Sequence, residues 1–271
     1  MMNVAFWNVN KNDAIDDCLE QLVLEHDIDI LIFAEYTGDI ERFSARFDAT
    51  NKPYRALQTI GCDRIKGIVS TKYNQELLTT ESRYCLVHIS TTYFNLLFGM
   101  IHGESKLNSQ DEDRAATFIR FYRDIEHNED KLKLSNSLII GDLNSNPFEK
   151  NIIGASTLHA IPYREEVSKP TRIVSGKQYK KFYNPMWKFF GERTPPYGTY
   201  YYNSSSTVNY YWNVFDQVII RPSLLNAFNE EDLKILTNIG TDQLLDIAKK
   251  PNKNYSDHLP LIFKIQENKI V

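Results

Sequence analysis

Strand-like and helix-like segments alternate twice along this chain, and that alternation leaves few architectures open. Val4 to Val9 reads as a strand, and "DAIDDCLEQLVLEHD" follows with apolar Ile15, Cys18, Leu19, Leu22 and Val23 at the spacing of one helical face. "IDILIFAEY" is then a buried strand that ends at Glu35. Helical spacing returns in "DEDRAATFIRFYRDIEH", with Ala115, Phe118, Ile119 and Tyr122 on one face, and leads into the strand "LSNSLIIGD". Between these units, from about Arg55 to Gly99, "GIVSTKY", "RYCLVHIST" and "YFNLLFGMIH" read as neighbouring strands of a meander, and "NVFDQVIIRP" and "LPLIFKI" are the last strands. One sheet cannot serve a meander and two strand-helix-strand units together. The pattern predicts an α/β (α+β) fold built as a four-layer sandwich, two mixed β-sheets packed face to face with helices on the outside.

A chain of 271 residues, 42% of them hydrophobic, can bury a full core. No Gly/Ser linker, low-complexity tract or internal repeat interrupts it, so residues 1–271 are expected to form one domain. Residues from about 151 to 213 have no clean period and read as an aromatic and basic insertion. Cys18, Cys62 and Cys85 are odd in number and lack metal-ligand spacing, which predicts reduced thiols and argues against a cysteine-based zinc site. The opening "MNVAFWNVN" lacks the basic start and apolar run of a signal peptide, and no 18-residue apolar stretch is present. A cytoplasmic protein without a membrane partner is expected.

Net charge is -4, which argues against nucleic-acid binding by bulk charge. Its distribution is uneven. Between Tyr163 and Trp212 eight basic residues face three acids, a local balance of +5, and the remainder carries -9. Such a division suits a protein that touches a polyanion locally and keeps acidic metal ligands elsewhere.

Polar residues stand where the strands end. They are Asn8 in "FWNVN", Glu35 in "IFAEY", His102 in "MIHGE", Asp142 and Asn144 in "GDLN", Asp216 in "FDQV", and Asp257 with His258 in "SDHLPL". A strand closing in Gly-Asp-Leu-Asn puts a carboxylate and a carboxamide two residues apart on one side of the backbone. Each has a plain structural explanation taken singly: turn chemistry for Asp142 and Asn144, backbone satisfaction for Asn8, a surface ion pair for Glu35, a cap for Asp257. Together in one cleft their carboxylates would need a compensating cation. Hard oxygen donors drawn thinly from several segments suit Mg²⁺ or Mn²⁺. The imidazoles fit phosphate contact or proton transfer better than zinc, because HExxH and HxH spacings are missing. Asp216 is the candidate carboxylate partner of His258. His26, His88, His127 and His159 lie outside any such motif.

The ordered set "WNVN", "AEY", "IHGES", "GDLNSNP", "FDQVII" and "SDHLPL" resembles the endonuclease/exonuclease/phosphatase superfamily, the deoxyribonuclease I-like fold, from about Asn3 to Ile265. The resemblance implies the four-layer sandwich with a divalent-metal site at one end of the sheets. It also implies roles. Glu35 would be the principal metal ligand, with Asn8 beside it and Asp257 contributing, and the cofactor Mg²⁺ (or Mn²⁺). Asp142 would orient or deprotonate the attacking water, and Asn144 would hold that water or a phosphate oxygen. His258, bonded to Asp216, and His102 would contact the phosphate. Asn10 departs from the Asp that abasic-site nucleases often carry there, and the tyrosine of the deoxyribonuclease branch has no clear counterpart.

The implied activity is divalent-metal-dependent phosphodiester hydrolysis, with nucleic acid as the leading substrate. "QYKKFYNPMWKFF" interleaves Lys with aromatic residues and "PPYGTYYYNSSSTVNYYW" adds a dense run of Tyr, a composition for stacking bases beside neutralised phosphates. Lys181, Tyr183, Trp187 and Tyr200 are the substrate-binding candidates from this insertion. A local mini-core or a protein interface would use the same residue types. The alternative activity is a phosphatase or phosphodiesterase on a nucleotide, an inositol phosphate or another small phosphate ester. A non-catalytic binding module stands third.

Overall fold

The computed structural model describes residues 1–106 and 109–270. Two sheets form its centre. In the first, strands Lys234–Ile235 and Leu261–Ile265 lead to β1 (Met2–Asn8), β2 (Ile30–Ala34), β4 (Ile65–Ser70) and β3 (Tyr54–Ala56) in that spatial order. In the second, β5 (Asn74–Glu81), β6 (Tyr84–Ser90), β7 (Asn95–His102) and β8 (Ser137–Asp142) are followed by Asp216–Ile220, Phe182–Tyr183 and Ala160–Ile161.

Each sheet has one parallel pair at its middle. Helix α1 (Asp16–Glu25) returns the chain between β1 and β2, the short α2 (Ile40–Ala45) follows β2, and α3 (Asp111–Leu132) returns the chain between β7 and β8, since parallel neighbours need a long crossover. Three acids in its first turn favour the start of α3, and Lys133, left-handed at φ 52°, ends it.

Side chains alternate between two apolar regions. On β8, Leu138 and Ile140 enter the core shared by the sheets, whereas Ile139 joins Phe118, Phe121 and Ile125 of α3 in a second cluster outside. Gly99 admits the Phe121 ring, for a Cβ there would lie 2.9 Å from its Cζ. The layers are therefore helix, sheet, sheet, helix, as the sequence pattern predicts.

Three local expectations need correction. "GIVSTKY" does not join the meander: β4 pairs with β2 in the first sheet, and the chain changes sheets at residues 71–73. Strand alternation reveals a buried face but not the partner. The buried face of α3 runs through Phe118, Phe121, Tyr122 and Ile125, leaving Ala115 and Ile119 half-buried. The insertion adds two short strands to the second sheet, pairing Phe182–Tyr183 with Ala160–Ile161. Cys18, Cys62 and Cys85 are free and buried, and among the described residues no helix is long and apolar enough to cross a membrane.

Gly141, immediately before Asp142, has no room for a side chain: an added Cβ would fall 1.8 Å from the Ile101 carbonyl oxygen of β7. Gly141→Ala is expected to lower the unfolding free energy by about 3 kcal/mol, read by urea denaturation.

Candidate active site

Strand direction brings the polar residues to one edge. The parallel strands β1, β2, β7 and β8 end there, and the antiparallel strands Asp216–Ile220 and Leu261–Ile265 begin there. His102 is in register with Asp142, and Asp142 with Asp216, across three adjacent strands. Asn8, Glu35, His102, Asp142, Asn144, Asp257 and His258 line one cleft of about 360 Å³. Asp216 lies behind it, fully buried beneath His258.

Asp142 is held from several sides. Its Oδ1 accepts the Asn144 backbone N–H at 2.9 Å, and its Oδ2 accepts Asn8 Nδ2 at 3.0 Å. Asn144 sits in the left-handed region at φ 48°, a conformation Asn tolerates, and its Nδ2 donates to the Gly103 carbonyl at 3.2 Å. Further back, Asn146 Oδ1 accepts from Val214 N–H, its Nδ2 donates to Asn213 Oδ1, and Gln217 Nε2 donates to the Ser145 and Val214 carbonyls. Buried amides thus brace the turn that carries Asp142 and Asn144. Neither Asn146 nor Gln217 carries a signal of this role in the sequence, although Asn146 lies in "GDLNSNP".

The two histidines differ in charge. His258 Nδ1 lies 2.8 Å from Asp216 Oδ2, and Nε2 lies 3.9 Å from Asp142 Oδ2. Burial opposes the imidazolium, but the carboxylates of Asp216 and Asp142 outweigh it and raise the His258 pKa to about 10. Burial raises Asp216 in turn, against the pull of the imidazole; the short Nδ1 contact keeps the shared proton on His258. His102 is lowered by burial, which exceeds the opposite effects of Asp142 and Glu35. Its Nε2 lies 3.6 Å from Glu35 Oε1 and 3.7 Å from Asp142 Oδ2. Trp7, missed at the sequence level, fixes the His258 backbone by donating Nε1–H to its carbonyl at 2.9 Å.

Glu35 follows β2 directly, in the left-handed region at φ 56°. Its backbone accepts from Lys11 N–H at 3.1 Å and donates to the Arg64 carbonyl at 3.4 Å, and these bonds turn the side chain into the cleft. Among the described residues no donor hydrogen-bonds to the carboxylate of Glu35 or of Asp257; the nearest cation to Glu35, Lys11 Nζ, is 4.0 Å away. Separately, Asp142, Asp216 and His258 offer ligand atoms within 4.8 Å of one another, a buried group with the residue types to hold a metal. Lys11, Arg64 and Arg83 also line the cleft. They lie in exposed or irregular segments where no periodic signal marks them.

The insertion candidates separate. Tyr200 lines the cleft, its ring 4.6 Å from that of His258. Lys181 and Tyr183 do not reach it: Lys181 is buried and donates Nζ to the Glu166 carbonyl at 2.7 Å, and Tyr183 donates its hydroxyl to Glu230 at 2.6 Å. Trp187 packs on Phe148 and Phe190. The expected polyanion face is also reduced, because Arg164, Lys180 and Lys188 bond to protein groups. Composition counts cations but does not say which ones carbonyls and carboxylates have already satisfied.

The sequence matches no family model and no curated protein. Solved structures with the same architecture include the truncated TDP2 of Caenorhabditis elegans, 14% identical over 97% of both chains with a TM-score of 0.57. An AP endonuclease from Archaeoglobus fulgidus is 13% identical over 98% of this chain and 99% of its own, TM-score 0.57. The 3'-5' exonuclease NExo of Neisseria meningitidis is 13% identical over 97% and 99%, TM-score 0.57. These likenesses establish the deoxyribonuclease I-like fold, the fold of the endonuclease/exonuclease/phosphatase superfamily.

Asp216→Asn removes the charge that offsets burial of His258. Titration of that ring by NMR is expected to find its pKa fallen from about 10 to below neutrality.

Proposed function

We propose that the protein is a divalent-metal-dependent phosphodiester hydrolase acting on nucleic acid. One observation carries this reading: seven side chains from distant segments share a cleft in which both Asp142 oxygens accept hydrogen bonds, while among the described residues the carboxylates of Glu35 and Asp257 have no donor. Two carboxylates left bare in a partly buried cleft are the donor set that Mg²⁺ or Mn²⁺ takes, with water completing the shell. Glu35 would hold the ion, with Asp257 and the Asn8 Oδ1 lone pair left after its bond from Asn10 N–H. The Asp142–Asp216–His258 group fits less well. Both ring nitrogens of His258 face carboxylates, the arrangement of an N–H donor and not of a metal ligand.

When bound, the cation supplies neutralisation of charge on the phosphoryl and leaving oxygens. The chain supplies the rest. Asp142, steadied by Asn8 and Asn144, orients a water and accepts its proton. Asn144 Nδ2 and the His258 imidazolium stabilise charge developing on non-bridging oxygens. Asp216 keeps the His258 proton and orients the ring. His102, neutral and wedged between Glu35 and Asp142, positions both carboxylates and offers an N–H to the phosphate.

Nucleic acid is favoured by the Tyr200 ring beside His258 and by Arg64 and Lys11 at the rim. The solved neighbours include an endonuclease and an exonuclease, and one, from Neisseria, is a 3' phosphatase bound to a product DNA hairpin. We also read residues 1–271 as one domain, supported by pairing of Met2 with Ile265, and place the protein in the cytoplasm, supported by three free thiols.

Single-stranded DNA is expected to be cleaved with Mg²⁺ and left intact with EDTA. Asn144→Ala and His258→Ala should each lower kcat by about 10²–10³-fold with the circular dichroism spectrum unchanged. Glu35→Gln should weaken Mn²⁺ binding, followed by electron paramagnetic resonance, at least about tenfold. Cleavage that persists in EDTA would refute the metal mechanism, and hydrolysis confined to nucleotides or inositol phosphates would favour a small-ester phosphatase.

A further inference from the structure

Beside the catalytic cleft lies a second cavity of about 350 Å³, and Ser105, Asn144 and Tyr200 belong to the walls of both. Its other walls mix the aromatic and apolar side chains Tyr202, Val208, Tyr210 and Phe215 with Lys106 and short Ser and Asn residues. Phe215 stacks on Tyr200 at 5.4 Å between ring centroids, and Tyr202 lies parallel to Tyr200 within 11° at 6.4 Å. Tyr202, Val208 and Tyr210 are 43%, 66% and 56% exposed, a concentration of uncovered apolar side chains around one opening. Such clustering marks a place where a ligand completes the surface.

The amide and serine groups at this cavity are already engaged. Asn213 Oδ1 accepts from Asn146, and Asn213 Nδ2 donates to the Tyr211 carbonyl. Asn209 donates to Asn203 Oδ1 and to the Ser204 carbonyl and accepts from Tyr211 N–H, while Ser204 and Ser206 bond to each other. Lys106 pairs with Glu149 at 2.5 Å and lies over the Phe215 ring. The cavity therefore offers π faces and shape, and the hydroxyls of Tyr200, Tyr202 and Tyr210, each able to donate or accept, meet the edges of different bases alike.

We propose that this cavity seats one unpaired nucleobase of a single-stranded DNA substrate, adjacent to the scissile phosphate, and that it selects for the presence of a base without selecting its identity. The seat rests on the phosphodiesterase reading above. A base within a duplex keeps its neighbours stacked on both faces, so single strands and frayed ends are the substrate class. Sharing Tyr200 and Asn144 with the catalytic cleft places the seat one ring away from His258.

Two measurements test it. In EDTA, a single-stranded DNA oligonucleotide carrying one 2-aminopurine should lose fluorescence on binding the protein as its base stacks on tyrosine. Tyr202→Ala should remove most of that quenching, whereas Tyr93→Ala, at an exposed site in a different cavity, should not. With Mg²⁺, oligonucleotides bearing A, C, G or T at the cleaved position should differ in kcat/KM by less than about threefold, and a baseless tetrahydrofuran residue should be cut roughly tenfold more slowly. Tyr202→Ala should shrink that tenfold preference. Absence of quenching, or equal rates with and without a base, would overturn the seat. Quenching without any hydrolysis would keep the seat and refute the hydrolase reading instead.

Discussion

Ladder hydrogen bonding between strands of mixed direction decides where this protein's polar side chains meet. Two parallel pairs, β1 with β2 and β7 with β8, end at the same edge at which two antiparallel neighbours begin. A slip of one residue in the pairing of β8 with Asp216–Ile220 would turn either Asp142 or Asp216 to the opposite face. Gly141 enforces the close passage of β8 along β7, since no side chain fits against the Ile101 carbonyl. The apolar alternation on the same strands fills the inter-sheet core and the α3 cluster. Core packing and site geometry are thus two outcomes of one register.

Charge at the site follows from that register. Asp142 stands between two imidazoles at 3.7 and 3.9 Å, yet only His258 has a second carboxylate in hydrogen-bond contact. Burial acts against both rings. Asp216 overturns it for one and nothing comparable does so for the other. Similar depth and a shared neighbour therefore produce one cationic and one neutral ring, because direct contact with a buried carboxylate outweighs desolvation.

Much of this was legible in the sequence, for definite reasons. Asn8, Glu35, His102, Asp142, Asn144, Asp257 and His258 stand out because each follows or precedes an apolar run, and the structure brings them to one cleft. The helix-sheet-sheet-helix layering follows from periods of 2 and 3.6 that the core residues keep. Partner choice is not encoded that way. β4 has the pattern of a meander strand but pairs with β2, since its alternation says only that a face is buried. Lys181 and Tyr183 look like ligand-binding residues by type, but their polar tips are spent on Glu166 and Glu230. Arg64 and Lys11 are hidden for the opposite reason: they are exposed in turns, where neighbours in space leave no trace in spacing.

The reacting groups and the aromatic cavity beside them are carried by different kinds of structure. Strand ends and their bracing amides hold the first; the second is mostly built on the short hairpin Tyr200–Tyr201 with Trp212–Asn213 and the turn between them. Mutational drift should therefore be unequal within the molecule. Replacements between residues 202 and 211 can accumulate with little penalty to folding, so a lineage could exchange one clientele of phosphate esters for another while its hydrolytic apparatus stayed unaltered.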